Sequence, residues 1–191
     1  MMARLRRRAL LGGALGLGAC GLLPAFAAPR PLRAPVTLVE TPVLDVHAGR
    51  EVRLLGDVMR DRAVALSFFF TGCSTVCPVQ ALAFARAQAR LGKVLGPRAV
   101  LVSISIDWYG DTEQAIRRFA AAHGAGPHWH FLKAPPERLD AIREGFDAYA
   151  PRRDNHPPVF AIGRADSREW SRLYGLPPGD MVADEIRAWL A

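Results

Sequence analysis

No dense stripe of lysine and arginine runs through the chain beyond its N-terminus, which removes the electrostatic footprint that nucleic-acid binding requires. Of the 25 basic residues, Arg4, Arg6, Arg7 and Arg8 precede the first apolar stretch. Without them 21 face 18 acidic residues, about +3 in place of the formal +7. Paired arginines such as Arg117-Arg118 read as ordinary solvated surface, whereas Arg152-Arg153 flank a candidate site and suit docking of an acidic partner. Internal repeats are absent, as is low complexity beyond the Pro/Arg-rich stretch 29–35, read as a tether. Long apolar runs are scarce too: the stretch from Ala9 to Leu23 is Gly/Ala-rich, ends at Pro24 and falls short of the roughly 20 residues that span a bilayer.

That stretch instead reads as the middle of an export signal covering Met1 to Ala28. Arginines lead it and Ala25-Phe26-Ala27 offers a small-residue cleavage site, although a retained leader would serve as a membrane anchor. Arg7-Arg8-Ala9-Leu10-Leu11 resembles a twin-arginine signal, with the general secretory route as the alternative. Leu17-Gly18-Ala19-Cys20-Gly21 resembles a lipoprotein processing site in which Cys20 becomes the lipidated first residue. The working part is therefore expected outside the cytoplasm, periplasmic or held on the periplasmic side of the membrane. About 164 of the 191 residues remain after cleavage at Ala27, enough for one core and few for two; residues 36–191 are expected to form a single domain.

Cysteine is also rare. Of three, only Cys73 and Cys77 lie in the working part, and their setting is informative. Ala63 to Phe70 is a nearly continuous apolar run expected for a strand buried on both faces, broken by Thr71-Gly72. After Pro78, helical character continues to about Leu95. Both cysteines thus sit at a helix N-terminus, where unpaired N–H groups and the helix dipole favour thiolate, and both are expected to be reactive.

Around them the pattern predicts a hairpin over Val43 to Leu54 turning at His47-Ala48-Gly49-Arg50, a strand from Val100 to Ile106, and a helix from Thr112 to His123. It continues with a strand Trp129 to Leu132, a helix Pro136 to Tyr149, a loop Ala150 to Pro158, strands Val159 to Ile162 and Trp170 to Tyr174, and a last helix Gly179 to Leu190. Strands alternating with helices, then a hairpin and helix, imply an α/β, thioredoxin-like fold with a mixed central sheet and helices on both faces.

Residues four apart on a helix share a face, so Cys73 and Cys77 can converge on one soft ion or form a disulfide. A static bridge across three residues stabilises little, because so short a loop removes little unfolded-state entropy. His156, just before a strand that this topology places beside the one leading to the cysteines, is the best third ligand. Two thiolates and an imidazole favour Cu(I), with Cu(II) and Zn(II) held less selectively, and a structural zinc would want a fourth ligand that is not evident nearby. His128 and His130 alternate on one strand and would share a face as an accessory site, yet solvent-facing or edge-strand roles fit better. His47 and His123 read as turn and helix-end residues. Asp107, at the end of a strand, is a candidate neighbour of the metal ligands or a simple cap of the following turn.

On these residues the chain resembles the Sco/SenC family of exported, thioredoxin-like copper proteins that assist assembly of the dinuclear copper site of cytochrome c oxidase. The similarity runs from about Thr37 to the C-terminus. The family's C-x-x-x-C-P motif falls on Cys73, Cys77 and Pro78, and its distal histidine on His156. Ser103-Ile104-Ser105-Ile106-Asp107 with Asp111-Thr112 resembles its S-V-D-P…D-T segment, whose aspartate lies near the metal. Two departures stand out: Asn155 separates Asp154 from His156, with Pro157-Pro158 following, and Trp108-Tyr109-Gly110 replaces a proline and charged residues. A proline before this strand is also what thiol oxidoreductases of the fold use, often in cis.

The resemblance implies a copper metallochaperone binding Cu(I) or Cu(II) through Cys73, Cys77 and His156, with a cuproprotein client such as cytochrome c oxidase subunit II and a copper donor or thiol reductant upstream. The rival function is a thiol-disulfide oxidoreductase that keeps a client's copper-ligand cysteines reduced, Cys73 attacking and Cys77 resolving. A redox or copper sensor without transfer function is a third.

Overall fold

The computed structural model describes residues 31–152 and 155–191. The expected export signal, with its Arg7-Arg8 pair, Cys20 and the Ala27 cleavage site, lies outside the described residues, as do Arg153 and Asp154.

Two apolar strands build the centre. In β4 (Ala63–Phe69) and β5 (Ala99–Ser105) every residue is buried, as expected of strands covered on both faces. They pair in parallel, and β5 pairs in parallel with β6 (Trp129–Lys133). On its other side β4 carries β7 (Val159–Arg164), antiparallel, followed by β8 (Glu169–Tyr174). The hairpin β2 (Pro42–Asp45) and β3 (Arg50–Arg53) adds to the far side of β6, and β1 (Leu32–Pro35) pairs with β8. The sheet of eight strands thus reads β1-β8-β7-β4-β5-β6-β2-β3. The β2–β3 turn rests on Gly49, whose φ of +68° a β-carbon would strain.

Consecutive residues of a strand point to opposite faces, and the phenylalanine run of β4 uses both. Phe69 stacks on Phe119 of α2 (Glu113–Ala122) with ring centroids 5.1 Å apart, while Phe68 meets Phe146, just after α3 (Pro136–Gly145), edge-on at 6.2 Å. On the Phe69 face α1 (Val76–Leu91) packs Phe84 against Phe160 and Trp129, and α4 (Gly179–Ala188) packs along α1. Helices therefore cover both faces, the thioredoxin-like arrangement expected. The Thr112 side chain caps α2 by accepting from the Ala115 N–H at 3.1 Å.

Helix α3 ends at Gly145 and not at Tyr149, α1 ends at Leu91 and not near Leu95, and two further local features differ from the sequence reading. Leu32–Pro35, taken as part of a tether, is a strand. Its residues are mostly exposed and it sits at the sheet edge, where proline is tolerated, so neither burial nor alternation announces it. Leu54, expected as the last residue of the hairpin, instead begins a π-helical turn over Leu54–Met59. The Glu40 carboxylate holds its first turn by accepting from the Leu55 and Gly56 N–H groups at 2.9 and 3.0 Å.

Candidate metal centre

The parallel pairing of β4 with β5 sets the site, because both strands end at the same level, Phe69 opposite Ser105. Beyond Phe69 the chain turns, the Cys73 N–H donating to the Phe70 carbonyl at 3.1 Å. Asp111 anchors this turn from the loop between β5 and α2. One carboxylate oxygen accepts from the Thr71 N–H (2.8 Å) and hydroxyl (2.5 Å), and the other from the Ser105 hydroxyl (2.6 Å). Asp111 is 1 % exposed, so these bonds form out of water, where an unmade partner is costly.

Cys73 precedes helix α1 and Cys77 lies within its first turn, so the two do not share a helix face as the spacing suggested. They converge by another route. Thr75, at the cap position of α1, makes no side-chain capping bond; instead the Cys77 N–H donates to the Cys73 sulfur at 3.4 Å, which takes one of the helix's unpaired donors. Cys73 is half-buried and Cys77 is 1 % exposed, and both are free thiols.

This asymmetry splits their acidities. Burial pushes Cys73 up, but donors from Cys77 and Thr75 outweigh it and hold the thiol below its ordinary value of 9.0. Burial above all, then the hydrogen bond with Cys73, pushes Cys77 up to about 12. The expectation that both sulfurs are readily ionised is thus corrected: the helix N-terminus serves Cys73, and desolvation overrides it at Cys77.

His156 lies in the loop before β7. Because β7 runs antiparallel to β4, this loop comes alongside the end of β4, and Cys73, Asp107 and His156 line one cleft of about 280 Å³ with Phe70 and Thr75. The Nδ1 of His156 sits 3.3 Å from the Pro157 carbonyl. A carbonyl only accepts, so Nδ1 carries the proton and the lone pair is on Nε2. That Nε2 is buried without any hydrogen-bond partner. Burial, helped by the positive charge of Arg143 and opposed by the Pro157 carbonyl, keeps the imidazole's pKa below 6.5, hence neutral at pH 7. A neutral imidazole with an unpartnered lone pair, beside a thiol inclined to ionise, is a soft donor set suited to copper.

Among the described residues no three His, Cys, Asp or Glu side chains are close enough together to hold a metal ion. The cleft therefore brings Cys73 and His156 to common walls without a closed triad. Asp107 accepts the Gly110 N–H at 3.0 Å, capping its turn, and also lines the cleft. Asp111, quoted only as part of a motif, proves to be the carboxylate that holds the cysteine turn. An acid six residues past the end of β5, next to the Thr112 helix cap, was the signal, but its partners depend on strand register. His130 is not a ligand partner of His128. It meets Asp45 at 2.7 Å on a strand flanked on both sides, while His128 is exposed. His47 is exposed in its hairpin turn, and His123 ends α2 with Nδ1 2.8 Å from the Phe119 carbonyl. No cis peptide bond occurs among the described residues, so Pro157 and Pro158 do not take the cis form that oxidoreductases of this fold often use.

Comparison with known proteins bears on the fold and the family. The search of curated proteins found no match. Solved structures similar to the described fold include ScoI of Arabidopsis thaliana with copper bound (21% identity, 82% of this chain and 100% of that one, TM-score 0.64). BsSco, a member of the Sco family of cytochrome c oxidase assembly proteins in which a disulfide switch was identified, is similar at 20% identity, 83% and 94% coverage and TM-score 0.67. A SCO1/SenC family lipoprotein of Bacillus anthracis matches at 17% identity, 86% and 100% coverage and TM-score 0.67. At these identities the likeness is one of fold. The SCO1/SenC family profile matches residues 44–163, from the first hairpin through Cys73, Cys77 and His156 to β7, and the chain belongs to that family.

Proposed function

We propose that this protein is an exported copper metallochaperone that carries copper as cargo on Cys73, Cys77 and His156 and hands it to a cuproprotein, with cytochrome c oxidase subunit II as the expected client. The observation that carries the reading is the buried, unpartnered Nε2 of His156, a residue that lines the same cleft as Cys73. A bare acceptor at that depth is costly unless something fills it. The copper-bound ScoI relative supports the choice of ion. Cys73 is the readier thiolate, and binding displaces the proton of Cys77, so uptake releases protons and strengthens with pH. A three-coordinate ion at an open cleft leaves room for an incoming client thiolate, and transfer proceeds by ligand exchange. The lipoprotein relative supports an exported, membrane-held form, for which either lipidation of Cys20 or a retained leader would serve.

A second reading is favoured by the contrast between the sulfurs. In a thiol-disulfide oxidoreductase the Cys73 thiolate attacks a client disulfide, forming a mixed disulfide and releasing one client thiolate. Cys77, on losing its proton, then attacks the Cys73 sulfur, freeing the second client thiol and leaving a Cys73–Cys77 disulfide for an external dithiol to reduce. His156 has no part in this. An anaerobic Cu(I) titration of the reduced protein against a competing chelator, with Cys73→Ser, Cys77→Ser and His156→Ala in parallel, separates the two. Tight one-to-one binding weakened in all three variants supports the chaperone. Binding indifferent to His156, with disulfide exchange intact, supports the oxidoreductase.

A further inference from the structure

Arg143, in the last turn of α3, is almost fully buried, an expensive place for a guanidinium. Among the described residues its one carboxylate partner, Asp140, lies 3.0 Å away but is itself 59 % exposed, and an ion pair screened in this way does little to offset the desolvation. The more telling contacts are with the loop that follows. Nη2 donates to the Ala150 carbonyl at 2.5 Å, and the guanidinium carbon lies 4.9 Å from the centre of the Tyr149 ring. The backbone carbonyl of Arg143 also accepts from Ala148 at 2.8 Å. One residue thus holds three consecutive positions of the segment leading from α3 to His156. The far end of that segment is held separately, the Gly175 N–H donating to the Pro158 carbonyl at 2.8 Å.

We propose that Arg143 is a positioning residue for copper binding: by clamping Tyr149 and Ala150 it fixes the start of the segment that leads from α3 to His156. The proposal rests on His156 being a copper ligand. Fold stability alone does not account for the arrangement, because an apolar side chain of similar volume would fill the site without desolvating a charge. The clamp acts on the imidazole arm and leaves the sulfur arm, anchored by Asp111 through Thr71, untouched.

The test is a double-mutant cycle of Cu(I) affinity on the reduced protein with Arg143→Met, His156→Ala and the double variant, and Arg143→Lys as rescue. Met keeps the apolar stem and leaves no buried unpaired charge, and urea unfolding of each variant verifies folding. Arg143→Met is expected to weaken Cu(I) binding roughly tenfold, the lower end of what an outer partner of a metal ligand contributes. In the His156→Ala background it is expected to change affinity less than about twofold, because nothing is left to position. Lys, able to reach the Ala150 carbonyl and lie over Tyr149, restores most of the loss. An Arg143→Met protein with unchanged affinity, or an equal loss with and without His156, overturns the proposal and leaves the three-ligand reading standing. A His156→Ala protein with wild-type affinity overturns that reading itself, and with it any role for Arg143 through His156.

Discussion

Alkylation of the reduced protein with limiting iodoacetamide at pH 7 is predicted to label Cys73 long before Cys77. Even if Cys73 stood at the ordinary thiol value of 9.0, and it lies below it, three units would separate it from Cys77 at about 12. Three units are roughly a thousandfold in thiolate fraction. The more basic thiolate is the better nucleophile, which returns about 25-fold for a Brønsted coefficient near 0.45, so ionisation alone favours Cys73 by about 40-fold. Access widens the gap, since the Cys77 side chain is 1 % exposed while Cys73 opens on the cleft. Peptide mapping by mass spectrometry over a time course gives the two rates directly. Equal rates, or faster labelling of Cys77, would refute both the assignment of Cys73 as the outer sulfur and the account of burial overriding the helix N-terminus.

Further predictions concern the frame around the site. Asp111→Ala strands the Thr71 N–H and hydroxyl and the Ser105 hydroxyl; bonds to a buried carboxylate contribute about 1.5–3 kcal/mol each and overlap, so a loss of about 4 kcal/mol is expected from urea unfolding. A loss under about 1 kcal/mol would contradict the network. Thr112→Ala removes the cap of α2 and is expected to cost about 1 kcal/mol, read as a lowered unfolding midpoint. Burial raises the pKa of Asp45, but the His130 hydrogen bond and the Ala48 and His47 N–H groups outweigh it and hold the carboxyl below 3.8. Its stabilisation is therefore complete above the unfolded value of about 3.9 and is lost as pH falls through the lower folded value. The stability difference between wild type and Asp45→Asn should shrink as pH falls below about 4. A difference that grows on acidification would reverse the sign.

The fold was legible where burial is two-sided. The apolar runs of β4 and β5, interrupted only by serines, are short and bounded by turn residues and so read as buried strands, and the position of β7 beside β4 follows from the order of elements. β1 was not legible, because Leu32-Arg33-Ala34-Pro35 is held by its pairing with β8 and buries little. At the site, the spacing and setting of Cys73 and Cys77 could be read directly, but their unequal acidities could not, since a helix N-terminus and burial push a thiol in opposite directions and only depth decides. The two aspartates divide similarly. Sequence marks Asp107 and Asp111 alike as acids after a strand, while the register that sets Phe69 opposite Ser105 decides which one closes on Thr71. His156 was legible as a ligand candidate, whereas its clamp at Arg143 joins a helix to a loop by one side chain and carries no motif.

Copper X-ray absorption of the Cu(I)-loaded protein, beside His156→Ala, tests the central claim most directly. The account predicts two sulfur scatterers and one nitrogen scatterer in the wild type, with imidazole outer-shell features that vanish in the variant while both sulfurs remain. A first shell of two sulfurs alone, identical in both proteins, would contradict the three-ligand site and leave the paired thiols as a redox centre.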